Sequence, residues 1–202
     1  MTEFVSVAVA HFLALISPGP DFFIIVSVAL RNGSLKASWT CLGIAIANGV
    51  YIIFALIGFT LVREHSWLLN VIKVCGAMFL CYIGVMLIRS SRRDLFKSVD
   101  VAEGDSRAMK LFTTGFMSGI LNPKNQIFYI TLYSLFVSAT TPSSMQILYG
   151  VWMFSIVLFW DIFIAFSIGN RFVRNILDSY TFRIEQLSGG IIILLGVFII
   201  FQ

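Results

Sequence analysis

Two prolyl segments and three ionisable side chains stand inside otherwise apolar stretches of this chain. Ser17, Pro18, Gly19, Pro20 and Asp21 interrupt a run from Phe4 to Leu30, and Asn122, Pro123, Lys124 and Asn125 interrupt another from Leu111 to Ser138. Asp161 stands between Trp160 and Ile162 in a third run, Met145 to Gly169. Proline removes a backbone donor and glycine relaxes a helix, so each prolyl segment predicts a break near the middle of its run. Unpaired backbone groups at that depth survive only against protein or a hydrated cavity, and the N-terminus of each following half-helix carries partial positive charge suited to an anionic group. Charged side chains so placed are costly and are therefore either paired or working. The chemistry these residues offer is non-covalent: half-helix ends can meet an anionic group, and a carboxylate can hold a substrate or exchange a proton. A carboxylate removed from water can do the latter near working pH. No Ser/His or Cys/His arrangement suits a nucleophile, with His11 and His65 badly placed for one, and we expect no enzyme.

The elements that must position these groups follow from composition. The 202 residues are 58% hydrophobic and only 12% charged, with a mean hydropathy of +0.93. A soluble core of this size cannot bury so much apolar surface, so soluble enzymes and nucleic-acid binders are excluded. A spanning helix needs roughly 20 apolar residues. Six runs qualify: Phe4 to Leu30, Ala37 to Val62, Trp67 to Ile88, Leu111 to Ser138, Met145 to Gly169, and a short one, Leu187 to Phe201, extended back toward Phe182. The first lacks a basic leader and is expected to stay as a helix rather than be cleaved. Cys41, Cys75 and Cys81 lie within apolar runs without C-x-x-C spacing and predict packing residues rather than disulfides.

Of the fourteen Lys and Arg, all but Arg63, Lys73 and Lys124 fall in the first, third and fifth connections. The positive-inside tendency makes those connections cytoplasmic and both termini external. The basic balance, pI about 9.1, then reflects topology and not a nucleic-acid partner, although Arg89, Arg92 and Arg93 suit a contact with anionic lipid. The stretch 89–107 reads as a cytoplasmic linker with little to bury.

The two halves, 1–88 and 108–202, resemble each other. Ala10, Ala14 and Pro18 recur at a constant offset as Gly115, Gly119 and Pro123, and Phe23 as Phe128. Gly43 matches Gly150, and Gly84, Val85 and Ile88 match Gly196, Val197 and Ile200 at slightly larger offsets. Three crossings per half make the second half enter from the opposite face, an inverted repeat of the kind secondary transporters use.

Each candidate has a plainer reading. The prolines can serve only as packing kinks, Asp21 can cap the second half-helix, Lys124 can be a counter-ion, and Asn48, beside Tyr51, can bond between helices. His11 reads as an interfacial or packed side chain. Ala45 to Gly49 and Gly115 to Gly119 predict close helix approach. Asp161, with no capping duty, is the strongest candidate for function.

The Ser-Pro-Gly-Pro-Asp-Phe segment at 17–22, Asn-Pro-Lys at 122–124, the six runs and the length together resemble the LysE/RhtB amino-acid exporters along nearly the whole chain. The resemblance implies a bacterial inner-membrane protein that exports amino acids or their derivatives, driven by protons, with Asp21 and Phe22 most similar to the threonine/homoserine type. The expectation is an all-α membrane protein of two inverted three-helix repeats with broken helices 1 and 4, working by alternating access. Ser17, Pro18, Gly19, Pro20, Asp21, Asn48, Asn122, Pro123, Lys124 and Asn125 are the candidate substrate site, and Asp161 or Asp21 the proton carrier. The partners are an amino acid, protons and the lipid bilayer, with a homodimer as the assembly considered and no cofactor. The runner-up is a divalent-cation exporter using Asp21, Asp161 and the asparagine oxygens as hard ligands, against which the positive charge of Lys124 argues.

Overall fold

A computed structural model of the chain describes residues 2–17, 19–62, 66–89 and 107–200. All regular structure among them is helical: α1 Thr2–Ile16, α2 Pro20–Asn32, α3 Ser34–Val62, α4 Ser66–Ile88, α5 Ala108–Leu121, α6 Pro123–Phe136, α7 Ser143–Ser167 and α8 Arg171–Ile200. Both expected breaks are present, since the first and fourth apolar runs each fold as two helices. Pro20 and Pro123 open α2 and α6, where a missing N–H costs nothing and a fixed φ favours the first turn. Pro18 and the linker stretch 90–106 lie outside the described residues.

α3 and α7 are long and apolar enough to cross a membrane by themselves, and α1 with α2 makes a third such element, bent by 54° at its break. Shorter apolar segments, Val74–Ile88 and Gln186–Phe198, lie within α4 and α8. Large apolar side chains such as Phe159, Phe163 and Phe166 of α7 and Leu187, Leu194 and Phe198 of α8 are exposed. That surface suits lipid rather than water.

One expectation needs correction. The fifth connection, which was to carry Arg171, Arg174 and Arg183, is instead the first part of α8, and only residues 168–170 separate α7 from α8. No Gly or Pro occurs from Arg171 to Ser188, and Phe172, Val173, Ile176, Leu177 and Tyr180 recur at helical spacing. Reading for unbroken apolar runs passes over such an amphipathic stretch.

Glycine sets the closest approaches. A Cβ on Gly115 would lie 2.1 Å from the Thr40 carbonyl oxygen, and one on Gly43 the same distance from that of Phe112, so α3 and α5 touch backbone to backbone. The Thr40 hydroxyl adds a hydrogen bond to the Leu111 carbonyl at 3.1 Å. Since Thr40 faces Gly115 and Ala47 faces Gly119, these two helices run parallel. Gly84 against Gly189, with Gly196 against Ala77, packs α4 and α8 antiparallel. α7 crosses α3 antiparallel, with Gly49 against Phe154 and Gly150 against Ile52.

Buried apolar side chains form two clusters. One gathers α1, α4 and α6 around Leu132 and Tyr133 with parts of α3, α7 and α8, and the other gathers α2 with Ile44, Leu111 and Ile164. The two breaks lie where the clusters meet. Gly115→Ala is expected to destabilise the protein by about 1–3 kcal/mol through overpacking. Gly58→Ala in α3, where a Cβ meets nothing within 4 Å, should be neutral or slightly stabilising. Thermal unfolding of the two variants in detergent checks the contrast.

Candidate functional site

At the junction of the two clusters lies a cavity of about 70 Å³, well above the roughly 10–15 Å³ that one ordered water needs. Ser17, Gly19, Asp21, Asn48, Asn122, Lys124, Asn125 and Asp161 all line it. Pro20 is exposed, and Pro123 contributes the first residue of α6. Side chains expected to meet from sequence positions more than a hundred residues apart are therefore brought together.

The backbone at the breaks shows why. Each helix end leaves up to four N–H or C=O groups without an intrahelical partner, and in an apolar surrounding these must be met by protein or water. At the end of α1, the Lys124 ammonium donates to the Ala14 carbonyl at 2.8 Å, placing a cation on the negative end of that half-helix. At the end of α5, the Gly119 carbonyl accepts from the Asn122 amide at 3.3 Å and from Asn125 Nδ2 at 3.4 Å. The Ile120 carbonyl accepts from the Tyr51 hydroxyl and from Gln126 Nε2. The side chain of Asn122 caps α6 through its Oδ1, which accepts from the Lys124 amide at 3.1 Å.

Asp21 ties the two breaks to each other. Its Oδ1 accepts from the Ser118 hydroxyl at 2.5 Å, and its Oδ2 from Asn122 Nδ2 at 3.0 Å and Asn125 Nδ2 at 3.1 Å. The carboxylate lies in the first turn of α2, the favourable end of the dipole, yet it bonds across to α5 and α6, and the Gly19 start of α2 has no side-chain cap. Of the two readings open for Asp21, capping of its own helix is not what the geometry shows. A cross-brace takes its place.

Asp161 is arranged differently. It is 6% exposed, and its Oδ2 has no hydrogen-bond partner. Asn48 is committed on both sides, donating to the Ile44 carbonyl at 2.9 Å and accepting from the Tyr129 hydroxyl at 2.9 Å. Among the described residues no three His, Cys, Asp or Glu side chains gather as metal ligands would.

Sequence reasoning passed over two residues of this site, Ser118 and Tyr129, and did not place a third, His11, in it. Ser118 was visible only as filler within the Gly115 to Gly119 stripe. Tyr129 was one aromatic among many. His11 is packed, as one of its readings had it, but at 2% exposure it also lines the cavity with its Nδ1 unpartnered. A polar residue one helical turn from Ala14, whose neighbour in the repeat pattern is Pro18, was the available signal.

Removing the brace should cost more than removing the unpaired carboxylate. Asp21→Ala strips three hydrogen bonds from one charged acceptor, a loss on the order of 3 kcal/mol, and should lower the thermal midpoint in detergent by several degrees. Asp161→Ala should lower it little, or raise it, because a buried carboxyl oxygen lacking a partner is removed. Equal losses in the two variants would contradict the assignment of Asp21 as the brace.

The threonine efflux protein of Escherichia coli (strain K12) is 32% identical over 136 residues, 66% of this chain and 66% of that protein, so the chain spans just under two thirds of that relative's length. The threonine efflux protein of Salmonella typhimurium is 33% identical over 143 residues, 68% of each chain. The leucine efflux protein of Enterobacter sp. (strain 638) is 24% identical over 198 residues, 96% of this chain and 92% of that one. No solved structure matches. The family model described as LysE type translocator matches residues 12–202, a stretch that includes both breaks and Asp161, and the chain belongs to the LysE type translocator family.

Proposed function

We propose that this membrane protein exports a small neutral amino acid, threonine or homoserine first, in exchange for protons and by alternating access around the two breaks. The observation that carries the reading is a cavity between two interrupted helices, lined by one committed carboxylate, Asp21, and one carboxylate with an unpartnered oxygen, Asp161. Discontinuous helices of this kind are how transporters place backbone charge at a midplane site. The names of the relatives, threonine and leucine efflux proteins, support the substrate class.

In this reading the chain makes six crossings as two inverted halves, 1–88 and 108–202, joined by the linker 89–107. Support comes from helix direction. Glu3 reaches Thr141 while Lys124 reaches Ala14, so α1 and α6 run antiparallel, as do α3 with α7 and α4 with α8. The bacterial relatives support a bacterial inner membrane, and cytoplasmic odd-numbered connections and external termini follow from the positive-inside tendency. Because α8 begins at Arg171, the basic residues of the fifth connection lie on a helix that rises from the cytoplasmic surface.

The substrate's carboxylate lies against Lys124 and the uncapped start of α2, and its ammonium against Asp161. The zwitterion thus meets one cation and one anion, and the desolvation cost of each charge is offset locally. Asp21 is spared this task because both of its oxygens already accept hydrogen bonds within the protein. A proton taken by Asp161 from outside removes the anion that holds the ammonium, and loss of that proton to the cytoplasm restores it. The exchange of ammonium for proton on one carboxylate couples export to proton entry.

Inverted vesicles containing Asp161→Asn should accumulate labelled threonine at least tenfold less than wild type under an imposed proton gradient, with Asp161→Glu recovering part of the loss. Accumulation by Asp161→Asn equal to wild type would remove Asp161 from the coupling step.

A further inference from the structure

We infer that His11 is the residue that distinguishes a hydroxyl-bearing amino acid from an apolar one of the same shape, an assignment that rests on the export reading above. Two side-chain atoms of the residues lining the cavity are buried without a partner among the described residues: Asp161 Oδ2 and His11 Nδ1. Polar atoms buried in this state are rare because each costs on the order of 1–3 kcal/mol. The first is accounted for by the substrate's ammonium. The second has no role in that scheme.

The surroundings of His11 indicate what it binds. Its ring packs among Phe128, Tyr129 and Trp152 at centroid distances of 6.2, 5.9 and 5.7 Å. A phenylalanine would suit this nest of rings better than an imidazole does, since it carries no nitrogen to leave unpaired. The Tyr129 hydroxyl already gives its proton to Asn48. His11 therefore holds one unpaired hydrogen-bonding atom within an apolar nest at the cavity's edge, and it complements a side chain that is small and apolar apart from one hydroxyl.

Position within the site agrees. His11 stands one helical turn before Ala14, whose carbonyl holds the Lys124 ammonium, so a substrate whose carboxylate is at Lys124 extends its side chain along α1 toward His11. The ammonium then falls to Asp161 on α7. Three contacts on three helices fix both the zwitterion and its side chain. A site that supplies a partner for a hydroxyl disfavours the analogue lacking one, because its own polar atom stays unpaired.

Threonine and valine differ by hydroxyl against methyl at nearly equal volume, which makes their ratio the readout. In inverted vesicles, wild type should take up labelled threonine at least tenfold faster than labelled valine at equal concentration. His11→Phe keeps the ring packing and should bring the two rates within about threefold, mainly by lowering threonine uptake, at unchanged protein level. His11→Asn places an amide near the position of Nδ1 and should keep a threonine preference even if both rates fall. A merely structural His11 predicts equal loss for both substrates in His11→Phe, and that result, or an unchanged ratio, overturns the assignment. If wild type itself transports neither amino acid, the export reading is what has failed.

Discussion

The fold depends on how a helix can be interrupted inside an apolar layer without abandoning its backbone hydrogen bonds. Four helix ends meet at the two breaks, and their orphan groups are met partly within the same half, by Asn122, Asn125 and Gln126, and partly across to the other, by Lys124 and Tyr51. Lys124 of α6 serves the carbonyl end of α1, and Ser118, Asn122 and Asn125 hold the carboxylate that opens α2. Each break is therefore completed by the other. Neither half could keep its interruption alone at low cost, and the chain must fold with both in register.

This reciprocity separates two tasks that the charged residues could otherwise share. Asp21 and Lys124 are drawn toward backbone and amide partners and hold the interrupted helices together, while Asp161, on the uninterrupted α7, keeps an oxygen open. A carrier needs both kinds of group. Groups that hold the scaffold must remain satisfied when the site is empty, and groups that bind cargo must not be. Lys124 stands between the two tasks, because its ammonium can keep the Ala14 carbonyl and still present protons to a carboxylate. The close α3 and α5 contact, set by Gly43 and Gly115, gives this assembly a rigid flank. In the proposed alternating access, the breaks are where helix segments would pivot.

Much of this was legible in the sequence, for identifiable reasons. Proline and glycine act through local backbone geometry, so the interruptions near Pro20 and Pro123 could be located without tertiary information. An isolated charge in an apolar run is costly wherever it packs, so Asp21, Lys124 and Asp161 identified themselves, and Gly115 with Gly119 marked the α5 side of its contact with α3, whereas Gly49 of the Ala45 to Gly49 pair packs against Phe154 of α7. What stayed hidden depends on pairing across space. The partners of Asp21 come from a segment about a hundred residues away, and Ser118 has no property that sets it apart from other serines in apolar helices. His11 became informative only through what failed to surround it. The start of α8 was missed for a different reason, since an amphipathic stretch carries its helical signal in periodicity rather than in apolar length.

The central claim is that the two breaks jointly enclose a wet chamber through which the amino acid passes. It is tested most directly by placing a single cysteine at Ser17, a buried residue lining that cavity, in a protein whose Cys41, Cys75 and Cys81 are replaced by alanine. The rate of reaction with a small water-soluble thiol reagent is then measured in membranes with and without threonine. The account predicts that the cysteine reacts and that threonine slows the reaction several-fold while an equal concentration of a non-substrate sugar does not. A cysteine that never reacts, or one whose rate is indifferent to every amino acid supplied, would contradict it.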